Sequence, residues 1–155
     1  MKRRLWLIAL VIAIVVGAGS ARADSLPIIQ GRVLALELCP QSFCGTAIFA
    51  GFFVGQVGFN RRAIGLINVS ANHGPLPDPD DPPTPLAGVW QLQVALRQFA
   101  GPVVGNLTNN GDNSFTVRGV MTIQQGGSGQ LFFEGRLDHN VFPPTLIGDI
   151  TQAPQ

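Results

Sequence analysis

The polar residues best suited to catalysis lie together near the C-terminal end of the chain. Glu134, Arg136, Asp138 and His139 fall within six positions. A carboxylate beside a histidine can exchange a proton with a substrate, so Asp138 or Glu134 with His139 would form a general acid–base pair. The same spacing places Glu134, Arg136 and Asp138 on one strand face, where charged side chains form ion pairs. We therefore predict no catalytic residue, and an isomerase- or hydrolase-like enzyme that uses His139 is the third of three hypotheses.

The two cysteines of the chain predict a small disulfide loop. Cys39 and Cys44 are separated by Pro-Gln-Ser-Phe. A redox-active pair usually has the form Cys-x-x-Cys at the start of a helix, and no helix is expected here. In an exported protein a structural disulfide between Cys39 and Cys44 is the simpler interpretation. Such a bond would hold a local turn together.

Metal ligands with a recognisable spacing are absent from the sequence. His73 and His139 stand apart from the cysteines and from each other, which does not suit zinc. Three aspartates lie between the prolines of segment 73–85, but those prolines oppose the tight wrap of a calcium loop. We therefore predict neither a metal nor a cofactor. Segment 73–85 is expected to be a solvated connector or, alternatively, a stiff lid over a barrel mouth.

The first 23 residues have the pattern of a secretory signal peptide. Three basic residues at positions 2–4 precede the apolar run Leu5 to Val16, and Ala21-Arg22-Ala23 supplies a cleavage site. The run has 12 residues, against the roughly 20 that a membrane-spanning helix needs. We predict cleavage after Ala23, no transmembrane span afterwards, and a single β-barrel domain over residues 24–155. The protein is expected to be secreted or periplasmic.

Removal of this leader changes the charge of the chain. The full sequence has a formal net charge of +1, whereas residues 24–155 have six arginines, no lysine and nine acidic residues, a net charge of −3. Binding to nucleic acid requires clustered lysine and arginine to neutralise phosphates. We therefore exclude nucleic acid as a partner.

After the leader the sequence reads as about eight β-strands. Apolar residues alternate with polar ones, and Gly, Asn, Asp or Pro separate the runs. Trp90, Leu92, Val94 and Leu96, for example, share one face of a predicted strand. The predicted strands cover residues 28–38, 45–59, 63–72, 86–100, 103–108, 114–124, 129–138 and 145–151.

A recurrent glycine favours a small antiparallel barrel, with a β-sandwich as the alternative. Six times an apolar residue stands two positions before a glycine and another two positions after it, as in Phe133-Glu-Gly135-Arg-Leu137. Period-two geometry places each glycine on the inward face, where it permits the sharp coiling of a closed barrel. In general architecture the chain resembles the calycin-type eight-stranded barrels. That resemblance implies a filled interior or a cavity for one small ligand.

The strand predicted over residues 45–59 is apolar on both faces. Phe49, Phe53 and Val57 alternate on one side, and further apolar residues alternate on the other. Such a strand needs a cover on both faces, which could be another subunit, a membrane surface, the rest of a larger assembly or the Pro-rich loop of the same chain. Of these we predict self-association into a homo-oligomer through this strand. An outer-membrane barrel is the less favoured explanation, because the chain has no tyrosine and lacks aromatic girdles.

The leading hypothesis is an exported barrel that binds a small apolar ligand without transforming it. Five predicted interior residues would contact that ligand: Trp90, Leu92, Val117, Met121 and Phe133. The alternative is a structural or self-associating module of the envelope or extracellular space. The sequence shows no nucleophile elbow or phosphate-binding loop that would favour an enzyme.

Overall fold

Eight antiparallel strands form a closed barrel, in which each strand pairs with its neighbours in chain order. The structure is a computed structural model and describes residues 28–152. The predicted signal peptide over residues 1–23 lies outside this range. The elements are β1 (Ile29–Cys39), α1 (Gln41–Cys44), β2 (Ala47–Val57), β3 (Asn60–His73), β4 (Thr84–Val94), β5 (Arg97–Asn109), β6 (Ser114–Ile123), β7 (Gly129–Asp138) and β8 (Thr145–Gln152).

The predicted all-β fold and antiparallel barrel of eight strands are confirmed. The first and last strands close the sheet on itself, since β1 pairs with β8 from Gly31↔Ile150 to Leu36↔Thr145. This closure excludes the β-sandwich alternative, because two packed sheets would leave the edges of β1 and β8 unpaired. The connections alternate between the two ends of the barrel, as in an up-and-down barrel.

One predicted strand is wrong at its centre. The sequence predicts one strand over 86–100 and the next over 103–108, whereas β4 ends at Val94 and β5 runs without a break from Arg97 to Asn109. The two turn residues are Ala95, which has a φ of 50°, and Leu96, which is fully exposed. The apolar alternation of β4 continues in phase to Leu96, and neither turn residue is one of the usual turn formers. The sequence pattern therefore conceals this turn.

The two ends of the barrel differ in their connections. Short turns join the strands at residues 58–59, 95–96 and 124–128, and we call this the short-turn end. Longer connections at residues 40–46, 74–83, 110–113 and 139–144 define the long-loop end. The predicted disulfide between Cys39 and Cys44 is confirmed and encloses α1, a single helical turn that the sequence does not predict. None of the helices within residues 28–152 is long and apolar enough to cross a membrane.

Large inward side chains fill the barrel at the short-turn end. The largest of them, Trp90, Phe53 and Phe99, are at most 2% exposed. The indole N–H of Trp90 donates a hydrogen bond to the carbonyl oxygen of Thr122 at 3.2 Å, which satisfies its polar group. Further fully buried side chains complete this core: Ile29, Leu92, Leu131 and Ile150.

The recurrent glycines lie opposite one another on neighbouring strands. Three pairs occur in register: Gly31↔Gly55, Gly105↔Gly119 and Gly135↔Gly148. A methyl group on Gly148 would lie 2.6 Å from Cζ of Phe133 and 2.7 Å from Cα of Gly135. Such contacts are far shorter than van der Waals separations. Glycine is therefore needed where an aromatic ring packs over two closely coiled strands.

The outer surface has ion pairs on β6–β8 and exposed apolar side chains on most strands, among them Val89, Val104, Phe132 and Ile147. On β6–β8, Arg118 pairs with Glu134 at 2.8 Å, and Asp149 pairs with Arg32 of β1 at 3.5 Å. On β1–β3 the outward side chains are mostly apolar and exposed. We call this the outer apolar face, and it consists of Leu34, Leu36, Leu38, Ile48, Phe52, Val54, Ile64 and Leu66.

Candidate ligand-binding cavity

The long-loop end of the barrel contains a cavity of about 530 Å³. All eight strands contribute to its wall, and almost all of the lining side chains are apolar. Small residues leave space at this end between larger lining side chains such as Phe49 and Phe133. Ala47 and Ala71 lie opposite each other on β2 and β3, and Gly88 is the next partner along the row. The wall includes one or more residues from each strand, among them Val33, Phe49, Ile67, Leu86, Val103, Leu107 and Leu146.

Three of the five residues predicted to contact a ligand line this cavity. Val117, Met121 and Phe133 face it from β6 and β7. Trp90 and Leu92 point into the barrel as well, but they belong to the core at the short-turn end and do not reach the cavity. The sequence alternation identifies which face of a strand is inward, but not the height of a residue along the barrel.

Five polar residues interrupt the apolar lining: Gln41, Ser42 and His73 near the loops, and Glu37 and His139, which face each other. The Glu37 side chain is 6% exposed, and its Oε2 lies 3.6 Å from Nε2 of His139. Nε2 of His139 is buried and has no hydrogen-bond partner within residues 28–152. The ring of His139 contacts Phe115 edge to face, with the ring centroids 5.3 Å apart. The cavity thus has one polar corner, formed by a carboxylate and an imidazole.

The other predicted acid–base partners of His139 are engaged elsewhere. Glu134 lies on the outer surface in its ion pair with Arg118. The carboxylate of Asp138 accepts hydrogen bonds from the backbone N–H of Asn140 at 2.8 Å and from its side-chain amide at 2.9 Å. These bonds favour the ionised form and lower the pKa of Asp138.

Sequence reasoning missed Glu37, although the sequence contains a signal for it. In β1 the inward positions are Val33, Ala35 and Glu37, so a carboxylate falls in phase with buried apolar residues. A charged residue at a buried position is rare unless it has a partner or a function. The apolar alternation of β1 therefore already marks Glu37 as exceptional.

The loops at this end are held against the barrel by hydrogen bonds. The side chain of Gln41 in α1 accepts from the backbone N–H of His73 at 2.8 Å and donates to its carbonyl at 2.9 Å. The amide of Asn109 donates to the carbonyl of Pro77 at 2.8 Å. Pro75 and Leu76 line the cavity, so the first part of the Pro-rich segment belongs to the cavity wall.

Charge is distributed unequally between the two ends. The turns of the short-turn end are flanked by Arg61, Arg62 and Arg97. At the long-loop end Arg136 is the one arginine that the structure describes. The acidic residues of that end are Glu37, Asp78, Asp80, Asp81, Asp112 and Asp138. Within residues 28–152, the His, Cys, Asp and Glu side chains form no group of three or more that could hold a metal ion.

No family model, curated protein or solved structure matches this chain. The cavity and its polar corner are thus the basis on which a function can be argued.

Proposed function

We propose that this protein binds a small, mainly apolar molecule in the barrel cavity and does not transform it. The observation that carries the proposal is the apolar cavity of about 530 Å³ beside a fully packed core. Its volume falls within the range of roughly 300–1,000 Å³ that is usual for small-molecule sites. An exported protein would meet such a ligand outside the cytoplasm, and the Cys39–Cys44 disulfide supports an oxidising compartment.

The construction of the barrel explains how an apolar cavity can be maintained. Each strand is hydrogen-bonded on both sides, so the wall cannot move inward without the loss of backbone hydrogen bonds. The side chains around the cavity also lack contact partners on their inner side. An apolar ligand would supply those contacts and leave water, so its binding is favourable.

The direct test is native mass spectrometry of the chain after leader removal, purified from an exporting host. We expect a small molecule to remain bound, and Val117→Phe should lose it, because the larger ring fills the cavity. Val89→Phe is the matched control, since Val89 is 60% exposed on the outer surface. A ligand that both variants retain equally would contradict binding in the cavity. Catalysis through His139 predicts instead that the bound molecule changes mass on incubation and that His139→Ala prevents the change.

A second candidate function, self-association, is favoured by the outer apolar face. Leu34, Phe52 and Leu66 lie side by side in register across β1–β3 and are 47%, 57% and 54% exposed. The Arg32–Asp149 ion pair borders this patch, since Arg32 lies two positions before Leu34 on the same face, and the Arg118–Glu134 pair lies farther round the barrel on β6 and β7. A second copy of the chain is the occupant we propose, because a two-fold contact would place this uncharged patch against itself.

Sedimentation velocity over a range of protein concentrations tests this second function. We expect a concentration-dependent dimer that Phe52→Glu abolishes, because a buried unpaired carboxylate is costly. Val104→Glu on β5 is the control and should dimerise normally. A strictly monomeric protein at high concentration would rule out self-association. A monomer that binds lipid vesicles would point to a membrane surface instead.

A further inference from the structure

Glu37 is a carboxylate that the barrel buries in an otherwise apolar cavity. Its side chain is only 6% exposed, and no hydrogen-bond donor within residues 28–152 reaches its carboxylate. Its backbone N–H donates to the carbonyl of Pro144 at 2.8 Å, which holds this end of β1 in place. A buried carboxylate without a donor is costly to the fold. A cationic group bound in the cavity would relieve this cost.

His139 lies next to this carboxylate and is also incompletely bonded. Its Nε2 is 3.6 Å from Glu37 Oε2, which is beyond hydrogen-bonding distance. Its backbone N–H donates to the carbonyl of Asn113 at 3.1 Å, and Phe115 packs against its ring. Glu37 and His139 are therefore fixed by separate elements, with both polar ends directed toward one corner of the cavity.

The surroundings of this corner attract positive charge. Asp78, Asp80 and Asp81 stand exposed on the Pro-rich connection at the same end, and Arg136 is already paired with Asp112 at 2.6 Å. A cluster of one sign of charge around an opening raises the local concentration of ions of the opposite sign. A cation would therefore be drawn to the long-loop end and would find Glu37 inside it.

We propose that the ligand is an amine: an apolar body that ends in a protonated amino group held by Glu37 at the corner where His139 lies. This inference rests on the proposed function and specifies the ligand class of the same cavity. An ammonium group has three N–H donors and accepts none, so it can donate to the Glu37 carboxylate. Its charge balances the buried carboxylate, while the apolar body packs against Val117, Met121 and Phe133.

Isothermal titration calorimetry with three eight-carbon probes tests the ligand class on the chain without its leader. The probes are n-octylammonium, 1-octanol and octanoate, each below its micelle concentration, so that only the head group differs. We expect n-octylammonium to bind at least about tenfold more tightly than 1-octanol, because hydrogen bonds to charged groups are strong. Octanoate should bind most weakly, because it places a second carboxylate beside Glu37.

The variant Glu37→Gln assigns this preference to one residue. It keeps the size of the side chain and removes the charge, so n-octylammonium should lose about tenfold in affinity while 1-octanol binds as before. Glu134→Gln is the matched control, because Glu134 lies on the outer surface away from the cavity. The control should bind all three probes as the unaltered protein does.

The outcomes separate the two proposals. Three results would overturn the amine inference and leave an apolar cavity. The unaltered protein could bind the amine and the alcohol with equal affinity, or bind octanoate more tightly than the amine. The third such result is an amine preference that survives Glu37→Gln. Absence of binding by all three probes would overturn the proposed function together with this inference. The comparison among probes on the unaltered protein needs no variant, so it stands even where Glu37→Gln impairs folding.

Discussion

At the residue scale, charged side chains of this barrel have two different surroundings. Glu37 lies inside the cavity without a donor, whereas Asp112 lies at the loop between β5 and β6 with several donors. The hydroxyl of Ser114 and then the guanidinium of Arg136 hydrogen-bond to Asp112 and lower its pKa. The exposed carboxylate thus contributes to stability through its hydrogen bonds, while the buried one is kept at a cost.

The lowered pKa of Asp112 predicts a specific loss of stability in acid. A carboxyl group whose pKa is lower in the folded state stabilises the protein at pH values above its ordinary value of 3.8. This contribution is lost as the pH falls through the lowered pKa. We expect Asp112→Asn to be less stable than the unaltered protein at pH 7, with a difference that narrows below pH 3.8.

Urea unfolding at several pH values measures this difference. Asp80→Asn is the control, since Asp80 is exposed on the Pro-rich connection and forms no hydrogen bond in the described structure. A difference for Asp112→Asn that stays constant from pH 7 into strong acid would show that the hydrogen bonds of Asp112 do not depend on its charge.

At the scale of the strand, glycine permits the close coiling that an eight-stranded barrel requires. Gly135 and Gly148 face each other across β7 and β8, and the ring of Phe133 covers both of them. This arrangement places one large ring beside two glycines in a single layer of the interior. The glycines therefore act as packing positions of the strands, and not as turn positions.

Gly148→Ala is expected to destabilise the barrel by about 1–3 kcal/mol through overpacking. The added methyl group would meet the Phe133 ring at 2.6 Å and the backbone of Gly135 at 2.7 Å. Gly119→Ala is the matched control, because its nearest contact would be 3.0 Å, to the carbonyl of Val104. Chemical denaturation of both variants measures the two costs. Equal costs would indicate that the loss arises from glycine replacement in any strand and not from this layer.

At the scale of the whole molecule, a packed core and a cavity lie at opposite ends of one barrel. Trp90, Phe53 and Phe99 fill the short-turn end, and a mainly apolar cavity occupies the long-loop end. A closed ladder of eight strands connects the two ends, so the packed core can hold the shape of the cavity. This division is the usual requirement of a binding protein: a rigid frame beside an unfilled space.

Two leucines of β7 provide a matched test of this division. Leu131 is fully buried in the core, and Leu137, which is 5% exposed, lines the cavity. We expect Leu131→Ala to lose about 4–5 kcal/mol of unfolding free energy and Leu137→Ala about 2–3 kcal/mol, because Leu137 lacks contacts on its cavity side. Conversely, Leu137→Ala should change the affinity for 1-octanol more than Leu131→Ala does. Chemical denaturation measures the loss of unfolding free energy in both variants, and calorimetry measures their affinity for 1-octanol. Equal losses of unfolding free energy would contradict a division of the barrel into a packed end and a cavity end.

Much of the fold was predictable because a strand has a strict period of two. The inward glycines, the alternation around Trp90 and the local disulfide are all properties of neighbouring residues, and the structure confirms them. The turn at Ala95 and Leu96 was not predictable, because an apolar residue in phase with the strand occupies it. The pairing of β4 with β5 up to Val94↔Arg97 makes these two residues the turn.

The sequence by itself determined the strand number, the faces of the strands and the disulfide. Only the tertiary structure decided the height of each inward residue, since that depends on how eight staggered strands close into a barrel. For this reason Val117 reaches the cavity while Trp90 lies in the core. The same closure brings Glu37 of β1 beside His139 after β7, across β8. A pairing between residues so distant in sequence arises from the register of the closed sheet, which local alternation does not encode.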